Sequence, residues 1–299
     1  MSTVTAPSQT EYDHDIVIVG GGPAGCSAGV FTAREGLDTA IFDRGRSSIQ
    51  RCAYLENYLG FPAGVDIETF YELIHAHAES TGCEIVPDLV ESVDRPADDD
   101  ADGFVITPQE GEAVTARRVI AATRYDGEYM RGLDSDEAMY RSYEHDGEQH
   151  EQFDPDYAEA DGSTGVDGLY IATPAGTPDK QAILAAGRGA RVGKRVIGDA
   201  RIDAGWWNET AEGVDWVRQQ AELDDEWQDR DTWVEWFDDH YAEDAPVDPD
   251  SDRFRRIRAA SIDDSLSSYI TAEEIDERAA AGHETLAALL DPEAIVDAV

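Results

Sequence analysis

The chain has 299 residues, 65 of them acidic and 23 basic, for a net charge of −42 at pH 7. Such a balance excludes nucleic acid and anionic membrane as natural partners, because a polyanion is repelled by both. Lys180 and Lys194 are the only lysines, and 41% of the residues are apolar. This is the composition of a soluble protein adapted to molar salt rather than of a disordered acidic tail.

Met1–Tyr12 reads as a frayed tail. Asp15-Ile-Val-Ile-Val19 is a short β-branched run of the kind a buried parallel strand requires. Gly20-Gly21-Gly22-Pro23-Ala24-Gly25 follows at once with the spacing Gly-x-Gly-x-x-Gly, and a helical stretch with Ala28, Phe31 and Ala33 follows that. Such a loop allows a tight turn, lets backbone amides approach a pyrophosphate, and brings the helix close to the strand. The phosphate then sits at the positive end of the helix. A second strand, Thr39-Ala-Ile-Phe, ends at Asp43, where an acid accepts a ribose hydroxyl. Arg44 opens the polar loop that runs to Ala53.

Asp66 is placed to cap a helix whose apolar positions Ile67, Phe70, Ile74 and Ala78 recur at helical spacing, and Gly82 stops it. His75 and His77 stand two apart on that helix and diverge, so no shared metal is expected. Cys83–Val86 reads as a third parallel strand. Leu89–Val93, Phe104–Thr107 and Ala113–Arg117 form an antiparallel meander. Its loop Asp98–Gly103 imitates the start of a calcium loop but has Gln109 where the Glu is required, and reads as solvated acid. Val119–Ala122 and Gly168–Ala172 are buried strands, separated by a polar connector from Gly132 to Gly165 with one helical turn. A helix from about Asp179 to Val196 carries Ala182, Ala185, Ala186, Gly187, Gly189 and Ala190, which permit very close packing.

From about Gly198 the composition shifts. All six tryptophans lie between Trp206 and Trp236, and Trp233, Phe237 and Tyr241 share a helical face. They make either the core of a small helical domain, or a lid over a flat ring or a partner surface. A linker, Ala245–Asp250, precedes two helices, one near Ile262–Tyr269 and one from Ala272 toward Val299. No apolar run spans a membrane and the first dozen residues lack a signal peptide's hydrophobic region, so a cytoplasmic protein is expected. Cys26, Cys52 and Cys83 are too few and too scattered for a disulfide framework or a zinc site.

The glycine-rich start, the stretch Glu56-Asn57-Tyr58-Leu-Gly60-Phe61-Pro62, and Gly168-Leu-Tyr-Ile-Ala with Lys180-Gln181-Ala182 together resemble the thioredoxin reductase family of the pyridine nucleotide–disulfide oxidoreductases. The resemblance covers about 14–131 and 165–197. It implies an α/β fold: a three-layer Rossmann-like FAD-binding domain, with a parallel sheet and an antiparallel β-meander, over 14–198. An acidic, Trp-rich α-helical region fills 199–299. It also implies that FAD is the cofactor, with the loop of Gly20, Gly22, Pro23, Ala24 and Gly25 at its ADP half, Asp43 at the ribose, Arg44 as a further cofactor-binding residue, and Asn57, Gln181 and Ala182 at the isoalloxazine.

Departures from the family are equally specific. Residues 132–165 are too few for the inserted NADPH domain, and no Cys-x-x-Cys exists. The family's Ala-Thr-Gly becomes Ala122-Thr123-Arg124, and its Gly-Asp becomes Thr173-Pro174. The first reading is therefore an FAD-dependent oxidoreductase whose electrons come from a small-molecule or protein redox partner, with a homodimer left open. Cys52 is the one thiol with a case for a redox role, against a plain packing role; Cys26 is packing. The second reading is a non-catalytic FAD-binding sensor or regulatory module. A third, resembling thiazole synthase, is opposed by the Glu56–Pro62 stretch.

Overall fold

Strand β1 (His14–Val19) alternates its side chains between two buried faces, which is why four consecutive apolar residues can all be hidden. The structure, a computed structural model, describes residues 12–45, 48–98, 102–124, 127–145, 147–172, 181–213, 218–219 and 225–290. It divides into two compact units, 8–196 and 197–299.

In the first unit β1 lies between β2 (Thr39–Phe42) and β8 (Val114–Ala121), parallel to both. Strand β5 (Glu84–Val86) extends the parallel sheet beyond β2, and β11 (Leu169–Ile171) pairs in parallel with the end of β8. The beginning of β8 pairs instead with β7 (Phe104–Pro108), which pairs with β6 (Val90–Asp94), both antiparallel. Ile16, Ile18, Ile41, Ile120 and Tyr170 face helices α1 (Pro23–Arg34), α2 (Ile67–Ser80) and α4 (Ala182–Asp203). Val17, Val19, Phe42, Val119 and Ile171 face the meander. Helices, parallel sheet and meander make the three layers.

Several elements differ from the sequence reading. The third meander strand and the buried strand at Val119 are one strand, β8. The pair Arg117-Arg118 reads as a break, yet Arg118 is buried within the strand opposite Ile16. The stretch 132–165 is more than a connector: it holds the short helix α3 (Asp136–Met139) and a hairpin of β9 (Tyr140–His145) with β10 (Glu148–Phe153). Helix α4 runs past Val196 to Asp203. Its predicted start near Asp179, the Thr173-Pro174 pair, the N-terminal tail to residue 11 and residues 99–101 of the acidic loop lie outside the described residues.

The second unit is helical: α5 (Asn208–Ala211), α6 (Asp225–Gln228), α7 (Arg230–Tyr241), α8 (Asp252–Ser267) and α9 (Ala272–Leu289). Helix α8 begins ten residues ahead of the predicted segment at Ile262, because the Ser251 hydroxyl caps it by accepting from the Phe254 amide at 3.2 Å. Trp206, Trp207, Phe237, Phe254 and Ile257 form the core of this unit. The shared face of Trp233, Phe237 and Tyr241 is thus centred on Phe237, fully buried within its own unit. Trp216 lies outside the described residues. No described helix is long and apolar enough to cross a membrane.

Candidate functional site

The glycine loop is shaped by what surrounds it. Gly20 has φ +114°, and a Cβ there would stand 2.9 Å from the Ala122 carbonyl oxygen. A Cβ on Gly21 would meet the Asp43 side chain at 2.6 Å, and one on Gly25 would sit 1.8 Å from the Gly20 carbonyl. The loop is therefore pressed between the ends of β8 and β2 and the first turn of α1, with no room for a side chain at Gly20, Gly21 or Gly25. Pro23 begins α1, no acidic residue lies in its first turn, and no side chain caps Gly22. The helix amides at this end are left for an anion.

Helix α1 is held down by α4. A Cβ on Gly189 would lie 2.0 Å from the Ala24 carbonyl, so the two helices cross with their backbones in contact. Gly187, also in the small-residue stripe, faces open space. This crossing brings the head of α4 beside the loop.

At that head, Asn57 donates from Nδ2 to Gln181 Oε1 at 2.8 Å, joining residues 124 apart in the chain. Asn57 sits in the turn between strands β3 (Tyr54–Leu55) and β4 (Val65–Asp66). Tyr58 and Phe61 anchor that turn on Phe70 of α2, at ring separations of 4.8 and 6.2 Å. Gly60, with φ +109°, turns the chain between them. Helix α2 itself starts at the Asp66 cap, whose carboxylate accepts from the Thr69 amide at 2.9 Å.

A single cleft results. Gly20, Gly22, Pro23, Ala24, Asp43, Arg44, Cys52, Gln181 and Ala182 all line it, together with Arg51, Asp88, Arg124 and Tyr129. Two residues assigned from the sequence are not part of the lining: Gly25 is packed against the Gly20 carbonyl, and the exposed Asn57 reaches the cleft only through its bond to Gln181. Thr123 and Tyr129 share a hydrogen bond of 3.0 Å on the wall. Cys52 is exposed, whereas Cys26 and Cys83 are buried, and all three thiols are free. Burial pushes the Cys83 thiol up to about 11, which leaves it inert.

Asp43 is placed differently from a lone ribose acceptor. Its carboxylate, buried at the end of β2, accepts from the Gly45 amide at 3.1 Å and from the Tyr71 hydroxyl, and His75 Nε2 stands 3.2 Å away. Burial alone would raise its pKa, but the bonds from His75, Tyr71 and Gly45 hold it below the usual carboxylate range. Tyr71 and His75 escaped the sequence reading of the site. Their signal was an i, i+4 polar pair on an otherwise apolar helix face. Asp88, on the far wall, is likewise engaged, accepting from the amides of Leu89, Glu110 and Gly111. Among the described residues no cluster of His, Cys, Asp or Glu could hold a metal ion.

Residues 14–146 match the family described as pyridine nucleotide-disulphide oxidoreductase. Over 112 residues the chain is 31% identical to the thioredoxin reductase of Streptomyces clavuligerus, which covers 36% of this chain and 34% of that protein. It is 30% identical over 102 residues to NADPH-dependent thioredoxin reductase 3 of Arabidopsis thaliana, covering 31% of this chain and 19% of that one. The chain thus spans about a third or less of the length of these two relatives. Among solved structures it is similar to a thioredoxin reductase from Gloeobacter violaceus. There the TM-score is 0.52 and the identity 16%, over 69% of this chain and 98% of the other. The atypical thioredoxin reductase TRi of Desulfovibrio vulgaris Hildenborough gives a TM-score of 0.50 at 19% identity, over 64% and 100%. At those identities the likeness speaks for the fold alone.

Proposed function

We propose that this chain is an FAD-dependent oxidoreductase resembling thioredoxin reductase, but without a nicotinamide domain and dithiol of its own. One observation carries the reading: a single cleft runs from the glycine loop to the head of α4, where Asn57 and Gln181 meet. A mononucleotide needs one of those ends, whereas a dinucleotide with a flat ring needs both. The donor set fits such a group, because Gly20, Gly21 and Gly25 leave no room for Cβ atoms and the first turn of α1 carries no acid. Gly20, Gly22 and the start of α1 would hold the diphosphate, Arg44 would face the ribose end, and Gln181 and Ala182 would face the ring. FAD, when bound, supplies the redox chemistry, while the chain binds it, orients it and tunes it.

The test is cofactor release and bleaching. Protein purified in molar salt should be yellow, and the cofactor released by heat should run as FAD. Recovery of NAD alone, or no uptake from excess FAD, would sink the reading. Bleaching by NADH, NADPH or reduced ferredoxin separates an oxidoreductase from a flavin-binding sensor, which would stay yellow. A coupled NADPH–disulfide assay should remain at background, since electron transfer to a protein disulfide needs a resolving thiol beside Cys52.

A further inference from the structure

Behind the glycine loop, His75 Nε2 lies 2.9 Å from the Gly21 carbonyl oxygen and 3.2 Å from Asp43 Oδ2. A carbonyl can only accept, so Nε2 carries a hydrogen. The Cys26 thiol donates to the same carbonyl at 3.3 Å. Two helices, α1 and α2, therefore hold one peptide of the loop. In a trans peptide the C=O and N–H point in opposite directions. Drawing the Gly21 carbonyl toward α2 turns the Gly22 N–H to the other side, and Gly22 lines the cleft. A carbonyl turned into the cleft instead would repel a diphosphate.

We infer that His75 is a positioning residue for the dinucleotide's diphosphate, fixing the Gly21–Gly22 peptide and tying the affinity of the cleft to its own proton. The inference rests on reading the glycine loop as a diphosphate site, but not on the nucleotide being FAD. The titratable groups facing His75 are Asp43 from the end of β2, Tyr71 and Glu79 from α2, and Cys26 from α1. Burial pushes the imidazole down, yet the hydrogen bonds to Asp43 and Gly21 and the charges of Asp43 and Glu79 outweigh it and raise its pKa. Burial and the Asp43 charge push Cys26 far above neutrality. Tyr71 is pushed up by burial and by its bond to Asp43, and Asp43 itself is lowered. Of these groups His75 is the one whose ordinary value lies nearest neutrality. An anion bound at the loop favours imidazolium, so affinity falls as pH rises through the His75 pKa.

The experiment measures FAD affinity of the apoprotein in molar salt from pH 6 to 9, and the His75 ring titration by NMR with and without ADP-ribose. We expect affinity about threefold to tenfold weaker at pH 9 than at pH 6. That slope should vanish in His75→Gln, which keeps a donor but does not titrate, and ADP-ribose should raise the His75 midpoint. FAD binding with no pH slope and an unmoved midpoint would overturn the inference while leaving the flavin reading intact. Failure to bind FAD while ADP-ribose raises the midpoint would do the reverse. His75→Gln binding weakly but with the wild-type slope would show a purely structural role and overturn the inference. The wild-type ring titration decides the matter even if that variant does not fold.

Discussion

The two units are held together by opposite means. In residues 8–196 several close approaches are between main chains: Gly25 against the Gly20 carbonyl, Gly189 against Ala24, Gly20 against Ala122. In residues 197–299 they are between rings and guanidinium groups. Trp207 stacks on Phe254 at 5.6 Å, Arg253 donates to the Gly205 carbonyl at 2.6 Å, and Arg201 lies over Trp206 and donates to Asp264 at 2.9 Å. The first unit is specified by side chains that are missing at a few positions, the second by side chains of the right volume. Cores of the second kind tolerate hydrophobic exchange, whereas a backbone contact admits no substitute for glycine. A site that needs backbone amides in fixed places belongs on the first kind of scaffold.

Because every tryptophan lies between residues 206 and 236, tryptophan emission reports the second unit alone, and the contrast can be tested unit by unit. Phe254→Ala should lower stability by about 3–5 kcal/mol, since a fully buried ring leaves a cavity. Its unfolding transition should move in tryptophan emission, while Phe254→Leu moves it far less. Gly25→Ala should cost about 3 kcal/mol or more, because overpacking against main chain has no rotamer to relax into. A transition seen by calorimetry should shift here, and uptake of ADP-ribose should fall. If Gly25→Ala proves silent, the contrast between the units is wrong.

A smaller effect sharpens the picture at Asp43. Tyr71→Phe removes one donor to that buried carboxylate and should cost about 1–3 kcal/mol. The pH dependence has two signs. The His75 contribution is complete below its unfolded value of about 6.5 and is lost as pH rises through the raised folded value. The Asp43 contribution is present above about 3.9 and is lost as pH falls through the lowered folded value. Calorimetry across pH should show stability falling on the alkaline side, and His75→Gln should flatten that limb. Smallest of all, Thr271→Ala breaks the capping box at the head of α9 and should cost about 1 kcal/mol, read as lost helical circular dichroism.

What was legible in the sequence follows from these two kinds of contact. The parallel strands and the glycine loop were plain, because continuous β-branched runs and glycine spacing are local signals. Strand β8 was cut in two by Arg117 and Arg118, since charge inside a strand looks like a loop until the burial of Arg118 is seen. The hairpin β9–β10 was missed because its second strand, Glu148-Gln-His-Glu-Gln-Phe153, is polar on both faces and mostly exposed, so no period-2 pattern arises. In α8 the arginines at 253, 255, 256 and 258 obscured the apolar spacing of Phe254 and Ile257. At the site, the glycines, Asp43, Gln181 and Ala182 could be named from spacing and resemblance. The grip of Tyr71 and His75 on Asp43 could not, because it depends on where α2 crosses the end of β2.

Helix α9 carries one more consequence. It has 18 residues, a capping box at Thr271 and Glu274, and no buried side chain. Its order is therefore set by local helix–coil thermodynamics, which for a segment of this length in water is close to balance. Its amide protons should exchange with solvent orders of magnitude faster than those of β1, whose main chain is sealed between β2 and β8. A protease should find cleavage points along 272–289 while the sheet is still intact, releasing the end of the chain before the sheet opens.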